Sequence, residues 1–353
     1  MPFGIYIHIP FCARRCEYCA FATWEDRHHL IAAYVSACRR EIAGAGLPRA
    51  SSVFVGGGTP SLVPPALLAS LIADVDVEDG AEVTVECNPE TVTPALVEAL
   101  LGVGVNRLSF GVQSLAPHVL AGLGRAHDPA AARAAVALAA GAGVAFNVDL
   151  IYGGHGESDA DWRWTLDEVV AMSPPHVSAY ALTVEPGTPL AKDRSRHPDD
   201  DVQASRYLVA DEVLGAAGLR NYEISNWARP GSECRHNQLY WAQGDYRGIG
   251  CAAHSHAGGR RWWNVRTPER YIDAITAGRS PESGCEELDA PTRARERLEL
   301  SLRTRQGVPA SAVRDIGMLV DAGVVSVVGE RAVLTAKGRL VANDVALRLI
   351  AVG

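Results

Sequence analysis

Three cysteines within eight residues, Cys12-Ala-Arg-Arg-Cys16-Glu-Tyr-Cys19, stand directly behind the apolar run Phe3-Gly-Ile-Tyr-Ile-His-Ile-Pro10. A strand that ends in a short loop lets all three thiolates converge on one metal centre. A structural zinc site takes four protein ligands, and no fourth cysteine or histidine follows closely behind Cys19. A cubane iron–sulfur cluster has four irons, each normally held by a thiolate, so three cysteines leave one iron open to a small molecule. Three unrelated buried thiols would be the plain alternative, and this spacing after an apolar strand argues against it.

The chain of 353 residues is long enough for a sizeable core and two domains. Its net charge of −8 argues against nonspecific nucleic-acid binding and against a polybasic membrane surface. A local cluster of arginines could still meet an anionic ligand. No apolar stretch approaches a membrane span, and the N-terminus lacks the basic region and small-residue cleavage site of a signal peptide. The remaining cysteines (Cys38, Cys87, Cys234, Cys251 and Cys285) show no disulfide framework. A cytoplasmic protein with reduced thiols is expected, in the compartment that an oxygen-labile cluster requires.

The first two-thirds alternates short β-rich runs with helical patterns, which reads as an α/β chain with a parallel sheet. Strands are expected at Gly4–Ile9, Ser52–Val55, Glu82–Glu86, Arg107–Phe110, Ala145–Leu150 and Val177–Leu182. Helices are expected near Arg27–Ala43, Pro65–Ala73, Pro94–Leu101, Pro129–Ala140, Ala160–Ala171 and Val202–Ala217. Six such units suggest an incomplete barrel; periodicity alone does not separate it from an open doubly wound sheet. Polar signals fall just after the strands, at the carboxyl-end loops where β/α folds place their chemistry. In Gly56-Gly57-Gly58-Thr59-Pro60 the three glycines after strand two carry no Cβ, so backbone groups can approach a ligand, although a tight turn would explain it as well. Glu86, Gln113, Arg125 and Asp149 are expected on the same rim. They offer carboxylates, an amide and a cation, a set suited to a zwitterionic ligand with a ribose and an adenine. Singly, the acids could be helix caps or ion-pair members and Arg125 a surface cation.

Tyr6-Ile-His-Ile-Pro-Phe-Cys12, Gly56-Gly-Gly-Thr-Pro60, Arg107-Leu-Ser-Phe-Gly-Val-Gln113, Leu123-Gly-Arg-Ala-His127 and Asp149-Leu-Ile-Tyr152 follow one another in order. Together they resemble the radical S-adenosylmethionine (SAM) family of oxygen-independent coproporphyrinogen III oxidase and its relatives, over nearly the whole chain. The resemblance implies an incomplete (β/α)6 radical SAM barrel with a [4Fe–4S] cluster on Cys12, Cys16 and Cys19. It also implies SAM on the open iron, with Gly57, Gly58, Thr59 and Glu86 at SAM-binding positions. Tyr6, Gln113, Arg125 and Asp149 match further positions lining the SAM region, some of which serve a second SAM in the oxidase. Gly153-Gly-His-Gly156 departs from the Leu-Pro that relatives usually carry after the first glycine.

Farther on, Asp193–Asp201 reads as a charged surface loop. Cys234-Arg-His236-Asn-Gln-Leu-Tyr240-Trp241 places a histidine among aromatics and near arginines, a set that can ligate haem axially. The chemistry alone favours a packed loop with Tyr240 and Trp241 in the core. The intact His-Asn-x-x-Tyr-Trp string, however, resembles the haem-chaperone branch of the family, which makes His236 the haem candidate. His254 and His256 are alternatives, in a glycine-rich stretch expected to close the SAM side of the core. From about Glu286 a helix, a second helix ending at Gly323, a β-wing (Val324–Val328 with Arg331–Leu334) and a last helix from Lys337 resemble the family's small winged-helix-like α+β domain. The expected division is residues 1–220 for the barrel, 221–285 for an extension carrying the haem motif and 286–353 for the C-terminal domain.

Two functions compete. One is a haem chaperone that binds haem and delivers it to acceptor haemoproteins, respiratory membrane enzymes among them, as a monomer or homodimer with no nucleic-acid partner. The other is radical decarboxylation of coproporphyrinogen III. The oxidase carries a fourth cysteine two residues after the third, where this chain has Phe21, and a substantial N-terminal extension before its cluster loop, whereas Cys12 stands near the start here. The first function is the expectation.

Overall fold

The structure, a computed structural model, describes residues 2–350. Six strands, β1 (Phe3–Ile9), β2 (Ala50–Gly57), β3 (Val77–Cys87), β4 (Arg107–Gln113), β5 (Ala145–Tyr152) and β6 (His176–Ala181), lie side by side in chain order, all parallel. Between them run α1 (Ile31–Gly44), α2 (Pro65–Ala73), α3 (Pro94–Leu101), α4 (Pro117–Gly122), α5 (Pro129–Gly141) and α6 (Asp159–Ala171). Proline at the first helical position starts α2, α3 and α5, since its missing N–H costs a helix nothing there. Thr93 and Asp128 cap α3 and α5, and Ser158 with Asp161 forms a capping box on α6.

Spatial order equal to chain order is the barrel arrangement; a doubly wound sheet would reverse at a switch point. The barrel nevertheless stays open. Past α7 (Pro189–Lys192) and α8 (Asp200–Ala216), the hairpin β7 (Arg220–Glu223) and β8 (Asn226–Ala228) takes the free edge of β6, with β8 antiparallel to it. After α9 (Arg235–Trp241), β9 (Asp245–Ile249) pairs parallel to β1. Then β10 (His254–Ala257), β11 (Arg260–Asn264) and, beyond α10 (Pro268–Thr276), β12 (Glu282–Glu287) extend that edge. Strands β1 and β6 therefore never pair, and one sheet of twelve strands results.

Within β1–β6 the side chains alternate by chemistry. Ile5, Ile7, Val53, Val83, Val85, Leu108, Phe110, Val148 and Val177 point outward into one core with the helices. Tyr6, Glu82, Glu86, Arg107, Ser109, Asn147, Asp149, His176 and Ser178 point the other way, into the barrel. A β/α barrel usually fills its interior with branched apolar residues. Here the interior is polar, which makes it a continuation of the rim rather than a core.

The C-terminal part comprises α11 (Ala290–Leu302), β13 (Val308–Pro309), α12 (Ile316–Asp321), β14 (Val325–Val328), β15 (Arg331–Leu334), α13 (Ala336–Leu340) and α14 (Ala342–Ala346). It has its own core around Leu302, Val308, Val325, Leu334 and Val345. The expected wing is the antiparallel pair β14–β15, in a three-stranded sheet of order β13-β15-β14. Arg339 ties it to Asp211 of α8 at 2.6 Å. Residues 221–285, expected as an extension, share the main sheet, and Trp227, Ile249 and Tyr271 share the main core.

Candidate functional site

The cysteine loop leaves β1 at Pro10 and folds back on itself. The backbone bonds Cys12 N–H to Trp24 O (3.1 Å) and Trp24 N–H to Pro10 O (2.7 Å) close its base. His28 Nε2 lies 2.8 Å from Cys12 O, and the Arg15 guanidinium donates to Cys19 O at 3.0 and 3.2 Å. From outside, Glu17 N–H donates to Leu123 O, Leu190 N–H to Glu17 O, and Arg196 pairs with Glu17 at 3.3 Å. The Asp193–Asp201 segment, expected as a surface loop, is thus in part a strap over the cysteine loop. That role depends on Arg196, with Leu190 of the preceding short helix, reaching Glu17 from 179 residues away in sequence, which no local pattern reveals.

The three thiols open on a cleft of about 590 Å³ at the carboxyl ends of the strands. Gly57, Gly58, Thr59, Glu86, Gln113, Arg125 and Asp149 line it as well, so the predicted rim residues are brought together. The glycines have a structural cause that the sequence left open. A Cβ on Gly58 would stand 2.7 Å from Phe11 O and 3.0 Å from Cys12 Sγ, and one on Gly56 would stand 2.8 Å from the Glu86 carboxylate. Gly57, at φ +112°, would drive a Cβ into the His8 ring. The triple glycine lets the second loop lie directly against the first. Gly58 N–H and Thr59 N–H then donate to Ile9 O and Phe11 O.

Glu86 Oε2 accepts from Gly57 N–H at 3.0 Å. Burial, with the Asp149 charge second, pushes the Glu86 carboxyl up to about 7. Asp149 accepts from Ser109 Oγ (2.8 Å) and Asn147 Nδ2 (2.7 Å), and burial raises it too. Two neighbouring acids forced upward in this way favour a cationic or hydroxyl-rich ligand. Arg125 donates to Asn88 Oδ1 and Gly111 O, both at 2.8 Å, and its Nη1 stands 3.5 Å from Cys16 Sγ. Its buried Nε has no partner. Gln113 sits at φ +65° beside a register shift in the β4–β5 pairing, a left-handed conformation that a glutamine adopts only under constraint.

Below the cleft lies a second chamber of about 150 Å³, and Glu86, Ser109, Asp149 and Tyr180 line both. Tyr6, expected near SAM, faces this chamber rather than the cleft: it is an inward residue one turn of the pleat below the rim, with its hydroxyl 3.0 Å from His8 Nδ1. His236 is there too, 1% exposed. Its Nδ1 lies 2.9 Å from Ser52 Oγ and its Nε2 2.9 Å from Tyr240 Oη, while Phe54 stacks on the ring. Helix α9 lies across the inside of the barrel, and Glu82 of β3 accepts from the backbone N–H groups of Arg235 and His236, both at 3.1 Å. Residues 248–256, expected to close the SAM side, line neither space. They continue the sheet beyond β1, where His254 is exposed and stacks on Trp263.

The cysteine set fits a polynuclear cluster better than a single ion. Among the described residues, no three Cys, His, Asp or Glu side chains converge closely enough to hold one ion. In a cluster each thiolate meets its own iron, so the three sulfurs converge on one cubane while standing farther apart than on one ion. Burial holds the Cys12 thiol up at about 11 and raises Cys19, so the thiolates need a cationic partner in that loop. Phe21, at the position of the oxidase's fourth cysteine, also lines the cleft and is 67% exposed.

Comparison with known proteins agrees with this geometry. Residues 6–169 match the radical SAM superfamily. The chain is 42% identical to "Heme chaperone HemW" of Mycobacterium tuberculosis, covering 99% of this chain and 95% of the relative. It is 37% identical to the Escherichia coli protein of the same name, covering 79% and 75%. The solved structure of coproporphyrinogen III oxidase (HemN) from Escherichia coli, described as a radical SAM enzyme, superposes with a TM-score of 0.86 at 23% identity. That match covers 98% of this chain and 89% of the oxidase, and the likeness is one of fold. With its cysteine loop, glycine turn and acidic rim in one cleft, the chain belongs to the radical SAM superfamily, in the family of the HemW proteins.

Proposed function

We propose that the protein is a haem chaperone, which binds haem and delivers it to acceptor haemoproteins while carrying a [4Fe–4S] cluster and SAM. The observation that carries this reading is the 42% identity, over 99% of the chain, to a relative named for haem chaperone activity. Cys12, Cys16 and Cys19 would hold the cluster, which when bound supplies a one-electron donor and an open iron for SAM. Glu86 and Asp149 would accept from the ligand's ammonium or ribose hydroxyls, Arg125 and Gln113 would meet its anionic and polar groups, and Gly57, Gly58 and Thr59 would form the floor. Phe21 in place of a fourth cysteine supports the chaperone over the oxidase. The protein would work in the cytoplasm, as a monomer or homodimer; among the described residues no helix is long and apolar enough to cross a membrane. Haem ligation by His236 requires α9 to give up one of that ring's two hydrogen bonds. The exposed His254 needs no such change.

The test gives cluster-reconstituted protein, anaerobically, SAM, a reductant and coproporphyrinogen III, and in parallel titrates it with haemin. A saturable Soret band without protoporphyrinogen is the expected result. Protoporphyrinogen in the chromatogram, or no haem complex at all, would overturn the reading.

A further inference from the structure

A line of polar side chains, buried along its middle at Asn147, His176 and Tyr222, leaves the cleft at Asp149 and runs down the barrel interior to the helix that carries His236. Asn147 Nδ2 stands 2.7 Å from Asp149 Oδ1. The other end of that amide, Asn147 Oδ1, stands 2.5 Å from His176 Nδ1. His176 Nε2 is 2.9 Å from Tyr222 Oη, and Asn237 Nδ2 is 3.4 Å from the same hydroxyl. Strand β5 thus contributes Asp149 and Asn147, and β6, β7 and α9 one member each. Ser109 and Ser178 brace Asn147, at 2.7 and 3.1 Å from its Nδ2.

With Asp149 ionised, the chain has one consistent direction. The Asp149 carboxylate accepts, so Asn147 turns its amide N–H toward it and its carbonyl toward His176. That carbonyl requires a proton on His176 Nδ1, which leaves Nε2 as an acceptor for the Tyr222 hydroxyl. The Tyr222 oxygen then accepts from Asn237. Every link donates toward Asp149, in the order Asn237, Tyr222, His176, Asn147. Only a neutral imidazole can both accept and donate at its place in this line, and burial keeps the His176 ring well below its ordinary value. Dipoles aligned head to tail in a buried interior reinforce one another and stabilise a negative charge at the end they point to. A set of side chains that merely satisfied one another would need no common direction.

We infer that Asn147, His176, Tyr222 and Asn237 are positioning residues, which fix the Asp149 carboxylate for the cleft's ligand and tie the ligand end of the barrel to the seat of α9. This rests on the assignment of the cleft to SAM. It gives the His-Asn-x-x-Tyr-Trp string a role through Asn237 that does not require haem to reach His236.

The experiment measures SAM binding to cluster-reconstituted protein by equilibrium dialysis, beside ¹⁵N-histidine NMR of the wild type. Tyr222→Phe deletes one hydroxyl and should weaken SAM binding roughly three- to tenfold. His176→Gln, which can donate and accept from the same place, should bind close to wild type, while His176→Leu should not. Combined with Asp149→Asn, Tyr222→Phe should add nothing further. The NMR spectrum should place the His176 proton on Nδ1. Equal SAM affinity in Tyr222→Phe, full additivity with Asp149→Asn, or an Nε2–H tautomer would each overturn the inference. A cluster-loaded wild type that binds no SAM would instead remove the assignment of the cleft.

Discussion

The cysteine loop and the His236 helix sit at the two ends of one polar barrel interior, and they treat their metal-binding side chains in opposite ways. Cys12, Cys16 and Cys19 open on a cleft of about 590 Å³ beside an arginine with an unpartnered buried nitrogen. His236 spends both ring nitrogens on hydroxyls of its own chain and is capped beneath by Glu82. Side chains that hold a ligand are left unsatisfied by the fold, because the ligand completes them; side chains that hold the fold are completed by it. By that criterion the cysteine loop is built for a guest and the His236 ring for its neighbours, while Trp241 Nε1 at the end of the same helix is buried without a partner. The line of hydrogen bonds through Asn147, His176 and Tyr222 joins the two.

The comparison breaks most visibly at the cysteines. A triple Cys12→Ala, Cys16→Ala, Cys19→Ala variant should retain only background iron and sulfide after anaerobic reconstitution, and should still fold, since the loop's base is closed by backbone bonds. Normal iron and sulfide content would refute the cluster. At the other end, His236→Ala should cost stability: it empties a packed site and leaves the Ser52 and Tyr240 hydroxyls without partners, at about 2–4 kcal/mol in thermal or denaturant unfolding. A variant that unfolds like the wild type but loses its haem spectrum would reverse the assignment and make His236 a ligand after all.

The smallest expected effect concerns Glu86, raised on folding to about 7 from an ordinary 4.5. An acid raised in this way is easier to bury protonated. Its penalty is absent below its unfolded value, grows as pH climbs between the two values and is constant above the folded one. Ligand-free Glu86→Gln should therefore melt a few degrees above wild type near pH 8, with the gap closing toward about pH 5. A gap independent of pH would show that burial does not raise this group.

The β/α order, the starts of α2, α3 and α5 at their prolines, and the rim positions of Glu86, Gln113, Arg125 and Asp149 were all legible in the chain. Each follows from local rules: a period of two or 3.6, a proline that begins a helix, a polar residue where a strand ends. The polar alternation inside Arg107-Leu-Ser-Phe and Asn147-Val-Asp-Leu was also present, and it is the signal that could have exposed the polar interior and, with it, His176. The resemblance sets Tyr6 among the positions lining the SAM region; the pleat puts it a level below the rim, in the inner chamber that shares Glu86 and Asp149 with the cleft.

The sequence by itself therefore determined which elements form and which residues end at the rim, because hydrophobic period and backbone restriction act over a few residues. Tertiary structure alone decided the rest. It decided how the incomplete barrel ends, with β8 and β9 taking the edges that β6 and β1 would have shared. It decided that Leu190 and Arg196 strap the cysteine loop, and that His236 is consumed by Ser52 and Tyr240. Each depends on groups far apart in the chain meeting at hydrogen-bond distance, and whether a donor keeps a free lone pair is settled only by what packs against it.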